Sequence, residues 1–76
     1  MHIISLDKLP LDTEGRILKL NCIGDIRRRL LDLGLVKNTS ITPIFRSPLG
    51  DPTAYEVRCT IIAIRKEDAR QIDVET

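Results

Sequence analysis

The residue types that could do chemistry in this 76-residue chain are two cysteines, one histidine and a run of three arginines. His2 is the only histidine, so any Ser-His-Asp or Cys-His arrangement would have to be assembled through a residue at the N-terminus. A nucleophile, a base and an electrophile cannot be assigned to one site. The sequence therefore predicts a protein that is not an enzyme.

The two cysteines are the candidate metal ligands. Cys22 and Cys59 lie far apart in the sequence and have no CxxC or HxxxH companion, so they form no zinc signature. If they lay on neighbouring strands, their thiols could bind a soft metal ion with one further ligand. The alternative is that both are buried as small hydrophobic side chains. With no export signal, both are expected to be reduced in the cytoplasm.

The arginine run, Arg27 to Arg29, could contact phosphates or an acidic protein surface. Asp25 and Asp32 flank the run, which favours an acidic protein patch over nucleic acid. A net charge of +1, with one Tyr, one Phe and no Trp, also argues against nucleic-acid binding. The alternative is a solvated helix face without a partner.

These residues are positioned by a strand and a helix. The alternation in RILKLNC predicts a strand over residues 16–22, and the change of period that follows predicts a helix over residues 25–33. On that helix Arg27 and Arg28 lie away from the apolar stripe, and Gly34 suits a left-handed C-terminal cap. The stripe consists of Ile26, Leu30 and Leu33.

The middle of the chain predicts a hairpin. SITPIFR and TAYEVRC are strand-like and are separated by SPLGDP. Pro43 cannot donate a ladder hydrogen bond, so its strand is expected to have an exposed edge or a bulge there. Pro48 and Gly50 make the tip a preformed turn, which does not explain why Leu49 is displayed at its end. Leu49 and Gly50 are therefore candidate partner contacts.

The C-terminal third contains TIIAIR, KEDARQ and IDV. The first is a continuous apolar run typical of a strand buried on both faces, the second a short helix and the third a last strand. The chain is therefore expected to be mainly β. About five strands, one short α-helix between the first and second strands, and a short helix near the C-terminus fit a small barrel, since closure removes edges. Residues 1–76 are expected to form one domain.

Several segments together resemble the FeoA family of ferrous iron transport proteins, over roughly residues 12–75. The residues that carry the resemblance are Arg29-Leu30, Leu33-Gly34-Leu35, Ile41, SPLGDP at 47–52, IAIR at 62–65, Glu67, Ala69, Ile72 and Val74. The resemblance implies an SH3-like barrel. It also implies a cytoplasmic accessory of ferrous iron uptake that acts on the G-protein part of the FeoB transporter and reaches the membrane only through that partner.

The resemblance leaves an alternative function open. The same domain occurs at the C-terminal end of iron- and manganese-dependent repressors as a regulatory module, so a metal-responsive domain that binds a divalent transition metal such as iron is the second hypothesis. Its candidate ligands are Cys22 and Cys59. The chain begins with Met and shows no helix-turn-helix ahead of the domain, which favours the free-standing form.

Two positions depart from the glycines usual in the family. Asn38 can still adopt a left-handed conformation at small cost, whereas Cys59 would do so at a higher cost. Either the turn at Cys59 differs or its thiol has a use. The first hypothesis for function is that Arg27 and Arg28, together with Leu49 and Gly50 at the hairpin tip, form a partner-binding surface. Pairing through the Pro43 strand could also give a homo-oligomer.

Overall fold

A computed structural model describes residues 2–76, which form six short strands and two α-helices. The elements are β1 (Ile3–Ser5), β2 (Gly15–Leu20), α1 (Gly24–Asp32), β3 (Ser40–Arg46), β4 (Thr53–Val57), β5 (Thr60–Ile64), α2 (Lys66–Ala69) and β6 (Ile72–Glu75). A single 3₁₀ turn at Leu6–Lys8 follows β1. The predicted mainly β fold is confirmed.

The strands form one antiparallel sheet in the order β1-β6-β2-β3-β4-β5. The lead-in at Ile3–Ser5 pairs with β6, and the backbones of His2 and Thr76 exchange two hydrogen bonds beside it. The sheet therefore has six strands rather than about five, and α1 falls between the second and third. In the described part of the chain β1 and β5 do not pair, so the sheet keeps two edges.

The core lies on one face of this curled sheet and takes residues from β2 to β6 and from α1. Its fully buried members include Ile17, Ile41, Val57, Ile72 and Val74. Each of them alternates with an exposed or half-buried neighbour along its strand, as a sheet with one buried face requires. In β2 the fully buried side chain is that of Ile17, whereas Leu18 and Leu20 of the predicted alternation are only half-buried, because the register against β6 shifts between Ile17 and Lys19.

α1 ends in a hydrogen-bonded cap built around Gly34. Gly34 has a φ of 98° and donates its N–H to Leu31, while Leu35 donates to Leu30. This pairing is a Schellman cap, and the buried side chains of Leu30 and Leu35 provide its usual apolar contact. The predicted cap is confirmed, but Leu33 is 44% exposed and does not complete the predicted stripe, because it lies past the last helical residue.

β3 is an interior strand with a bulge, not an exposed edge. It lies between β2 and β4, and its register against β4 shifts between Pro43 and Phe45. Pro43 is buried, and its carbonyl accepts a hydrogen bond from Asp12 at 2.7 Å. Of the two expectations at Pro43 the bulge is correct and the edge is wrong, because the bulge removes the need for a proline N–H.

β5 is the edge strand at the other end of the sheet. The expectation that it is buried on both faces is wrong: Ile62 and Ile64 face the core side, whereas Ile61 is 62% exposed and Ala63 is exposed as well. A continuous apolar run fits either environment, and only the strand order decides between them.

The β3–β4 loop forms the turn that the sequence predicts. Gly50 has a φ of 85° and donates its N–H to Ser47 at 2.8 Å, which leaves Leu49 94% exposed. The Asp51 carboxylate accepts a hydrogen bond from the backbone N–H of Lys66 at 2.8 Å. This bond ties the loop to the start of α2, so the tip is held in place.

Candidate partner-binding surfaces

Arg27 and Arg28 lie on the solvent face of α1, as predicted. Leu30 of the same helix is buried in the core. With 3.6 residues per turn, Arg28 lies on the side opposite to Leu30, whereas Arg27 lies at the flank of the buried side. Both are exposed, and among residues 2–76 neither forms an ion pair. Their charges are therefore available to a partner.

The arginines line an open cleft of about 400 Å³ along α1. Its lining residues are Gly24, Asp25, Arg27, Arg28, Leu31 and Asp32. The two aspartates flank the arginines, as the sequence predicts, so the charge of this surface is mixed rather than uniformly basic. A mixed surface discriminates between protein partners and attracts the phosphate backbone of nucleic acid only weakly.

Ile23 adds an apolar group beside this surface that the sequence reasoning did not single out. It precedes the first residue of α1 and is 84% exposed. Ile23, Arg27 and Arg28 are called the α1 face below. In the sequence NCIGD, Cys22 and Ile23 are adjacent apolar residues just before the helix. Nothing in that pattern shows that Cys22 is buried and Ile23 exposed.

The hairpin tip is a second surface. Gly50 lines a cleft of about 300 Å³ whose other members are Asp7, Arg46, Thr53, Tyr55 and Lys66. This cleft shares no lining residue with the cleft on α1. α1 precedes the start of β3 and the tip follows its end, and seven residues of strand span roughly 20 Å. The structure thus places the predicted site residues on two surfaces.

Tyr55 forms part of the wall of the tip cleft. Burial raises the pKa of its hydroxyl above the ordinary value, while a hydrogen bond with Thr53 and the nearby charge of Arg46 act in the opposite direction. The phenol therefore stays protonated and neutral throughout the physiological range.

The two cysteines occupy different environments. Cys22 is buried in the core and Cys59 is exposed, so the expectation of burial is correct for the first and wrong for the second. Cys59 sits with Arg58 in the two-residue turn between β4 and β5, where both have a positive φ. Within residues 2–76, no group of three or more potential ligands could hold a metal ion.

Asn38 and Cys59, which stand where the family usually has glycine, both adopt the positive φ that glycine favours. Asn38 has a φ of 74° and donates its N–H to Ile17 at 2.7 Å, and Cys59 has a φ of 65°. A two-residue hairpin turn with positive φ at both positions matches the twist of the flanking strands. The turn at Cys59 therefore has the backbone conformation that glycine favours, at the cost of a strained non-glycine residue.

The fold and these surfaces define a small, mainly β domain that presents charged and apolar groups outward. A model of the FeoA domain matches residues 4–76. The chain belongs to the FeoA family.

Relatives agree with this assignment. The chain is 33% identical over 70 residues to an Fe(2+) transport protein A/Fe(2+) transporter FeoB fusion protein of Porphyromonas gingivalis, an alignment that covers 92% of this chain and 8% of the fusion protein. The domain thus occurs joined to FeoB in a homologue, and this links it to ferrous iron transport.

Two solved structures are close in fold. Iron(II) transport protein A from Clostridium thermocellum is 30% identical with a TM-score of 0.91, over 96% of this chain and 45% of that one. FeoA of Stenotrophomonas maltophilia, solved with zinc and described as a procaryotic SH3 domain protein, is 29% identical with a TM-score of 0.84, over 95% and 89%. The SH3-like fold is confirmed.

Across residues 2–76, no helix has the length and apolar character needed to cross a membrane.

Proposed function

We propose that this chain is a single-domain, non-catalytic accessory of ferrous iron transport that works in the cytoplasm by binding the G-protein part of a FeoB transporter. The observation that carries the proposal is the fusion of the same domain to FeoB in the Porphyromonas gingivalis relative. Covalent fusion raises the effective concentration of two modules for each other, which suits partners that bind weakly when separate.

The α1 face supports this function as the contact surface. Arg27 and Arg28 are exposed and unpaired within the described residues, and Ile23 provides an apolar anchor beside them. An interface needs such an apolar centre with a charged rim, because the apolar part supplies affinity and the charges set orientation and partner choice. The partner is expected to present acidic groups to this face.

The hairpin tip is proposed as a secondary contact. Leu49 is held at the end of a turn closed by the Ser47–Gly50 hydrogen bond and tied to α2 through Asp51. A rigid, exposed leucine loses little entropy on binding. Because the tip and the α1 face line separate clefts, each must be tested by its own variant.

The test is co-purification with the cytosolic part of the FeoB from the same cell. Arg27→Glu combined with Arg28→Glu is expected to abolish binding while thermal unfolding stays unchanged, since both side chains are exposed. Lys19→Glu combined with Arg70→Glu is the matched control, because it reverses two exposed charges elsewhere. Binding that survives the first pair, or that is lost equally with the second, would show that the α1 face is not the contact surface.

Leu49→Asp tests the tip in the same assay. It is expected to weaken binding about 10-fold without changing stability, since the side chain is almost fully exposed. Unchanged affinity would restrict the contact to the α1 face.

A further inference from the structure

The outer edge of β5 is an unpaired strand edge. In the described part of the chain β5 pairs with β4 alone. The turn between them has two residues, so Val57 and Thr60 form a hydrogen-bonded pair, and such pairs alternate along the ladder. Ile61 and Ala63 therefore direct their backbone N–H and C=O groups away from β4. These groups can pair with a further strand.

The side chains on this edge do not block such pairing. Edge strands are usually protected by a charged residue, a proline, a bulge or short length, and β5 has no charged residue, no proline and a regular register against β4. β1, at the opposite end of the sheet, has only three residues. The two edges are thus unequal, and only β5 offers five consecutive uncharged residues.

Two charged residues flank the β5 edge with opposite signs. Glu56 is exposed and lies directly beside Ile61 on the outer face of the sheet. Arg65 follows β5 with an extended backbone, φ −69° and ψ 149°, so the alternation of side chains places it on the same face as Ile61 and Ala63. The edge therefore carries a negative group near its start and a positive group at its end, a pattern that is complementary to itself in antiparallel pairing. The guanidinium of Arg65 lies 4.0 Å from the Glu67 carboxylate, an exposed and weak contact that pairing with Glu56 of the second copy would replace.

We propose that the chain forms a symmetric dimer in which the β5 strands of two copies pair antiparallel, with Ala63 opposite Ala63 of the second copy. In this register Arg65 lies opposite Ile61 of the second copy, and Glu56 of that copy is the next residue in the same row. The Cα atoms of Arg65 and Glu56 are then about 10 Å apart, the sum of one wide and one narrow antiparallel spacing. The two long side chains bridge that gap across the apolar surface of Ile61.

The charges also select the register. Moving the symmetry axis to Ile62 keeps hydrogen bonding between the edges, but it places Arg65 opposite Cys59 of the second copy and separates Arg65 from Glu56. Only the register centred on Ala63 forms the two symmetry-related ion pairs between Arg65 and Glu56, as an isologous interface requires.

The second copy is favoured over other occupants because the edge carries both halves of its own charge pattern. A single added strand buries little surface, so the dimer is expected to be weak, with a dissociation constant of roughly 0.1 to 1 mM. This proposal does not depend on the partner proposed above, because it uses neither the α1 face nor the hairpin tip.

The test is sedimentation equilibrium of the full chain from about 20 µM to about 1 mM. The wild type is expected to dimerise, whereas Glu56→Arg alone and Arg65→Glu alone each weaken association at least about 10-fold. An equimolar mixture of these two variants restores the dimer, because each supplies the charge that the other has lost. Arg70→Glu, an exposed charge away from β5, serves as the control and leaves association unchanged.

A backbone variant tests the strand pairing itself. Ala63→Pro removes an N–H that makes no bond to β4 and is expected to prevent dimerisation while the monomer stays folded. If this variant does not fold, the charge-exchange mixture still decides the question. The proposal is overturned if the wild type is monomeric at about 1 mM, if the mixture stays monomeric, or if β5 amide signals respond to the FeoB cytosolic part and not to protein concentration.

Discussion

The α1 face and the β5 edge present different kinds of unsatisfied groups. On the α1 face the Schellman cap satisfies the backbone at the end of the helix, and the groups available to a partner are the side chains of Arg27, Arg28 and Ile23. On the β5 edge the available groups are backbone N–H and C=O, with uncharged side chains around them. The first surface selects a partner by charge, and the second accepts a strand.

The difference shows why one surface could be foreseen from the sequence. Arg27 and Arg28 are visible as a basic run on a predicted helix, so their exposure follows from helical periodicity alone. The exposure of Ile61 depends on β5 being last in the strand order, which is set by contacts between distant parts of the chain. A run such as TIIAI contains no local sign of its position in a sheet.

The largest expected effect is the loss of stability when Leu30, the buried residue that holds α1 on the core, is truncated. Leu30→Ala removes a buried side chain that packs α1 on the core, and it should lower the free energy of unfolding by about 2–5 kcal/mol. Leu33→Ala, the matched control at a half-exposed position, should cost less than about 1 kcal/mol. Urea unfolding measures both. Equal effects would mean that α1 does not depend on Leu30 for its packing.

The next effect concerns the turn that holds β5. Cys59→Gly should raise the free energy of unfolding by about 1 kcal/mol, because glycine adopts the observed positive φ without strain. Cys59→Ala keeps the strain and removes the thiol, so it is the control and should change little. Urea midpoints at an unchanged slope report the comparison. If Cys59→Ala raised the free energy of unfolding as much as Cys59→Gly does, removal of the thiol and not relief of backbone strain would be the cause.

A smaller effect follows from burial of the chain's only tyrosine. Because the pKa of Tyr55 is raised in the folded state, folding favours the protonated phenol. This contribution to stability is present below the unfolded pKa of about 10 and is lost as the pH rises through the higher folded value. Phenolate absorbance should therefore appear at higher pH in native protein than in denaturant. If the titration midpoint of Tyr55 in native protein lay at or below the midpoint in denaturant, burial would not be the dominant influence on its pKa.

Much of the fold was readable from local patterns. The cap at Gly34 and the turn at Gly50 were identified from residue type, since each needs a positive φ that glycine supplies without cost. The bulge at Pro43 followed from its missing N–H, although the same argument allowed an edge. For the first short strand the sequence predicts only a strand-like lead-in, because Ile3–Ser5 is defined by its pairing with β6 and by no periodicity of its own.

The site was only partly readable. The exposure of Arg27, Arg28 and Leu49 was predicted correctly, but their division between two surfaces was not, because it depends on the length and direction of β3. The opposite burial of Cys22 and Cys59 had the same origin, since one follows a central strand and the other lies in a turn at the edge of the sheet. Positions relative to the whole sheet are the information that one sequence does not contain.

The most direct test of the partner surface is amide chemical-shift mapping of dilute, isotope-labelled chain on addition of the FeoB cytosolic part. At concentrations of about 10 µM, at which most β5 edges remain unassociated, we expect shifts at Ile23, Arg27 and Arg28, and none at Ile61 and Ala63. Shifts confined to β5, with the α1 face unaffected, would contradict it.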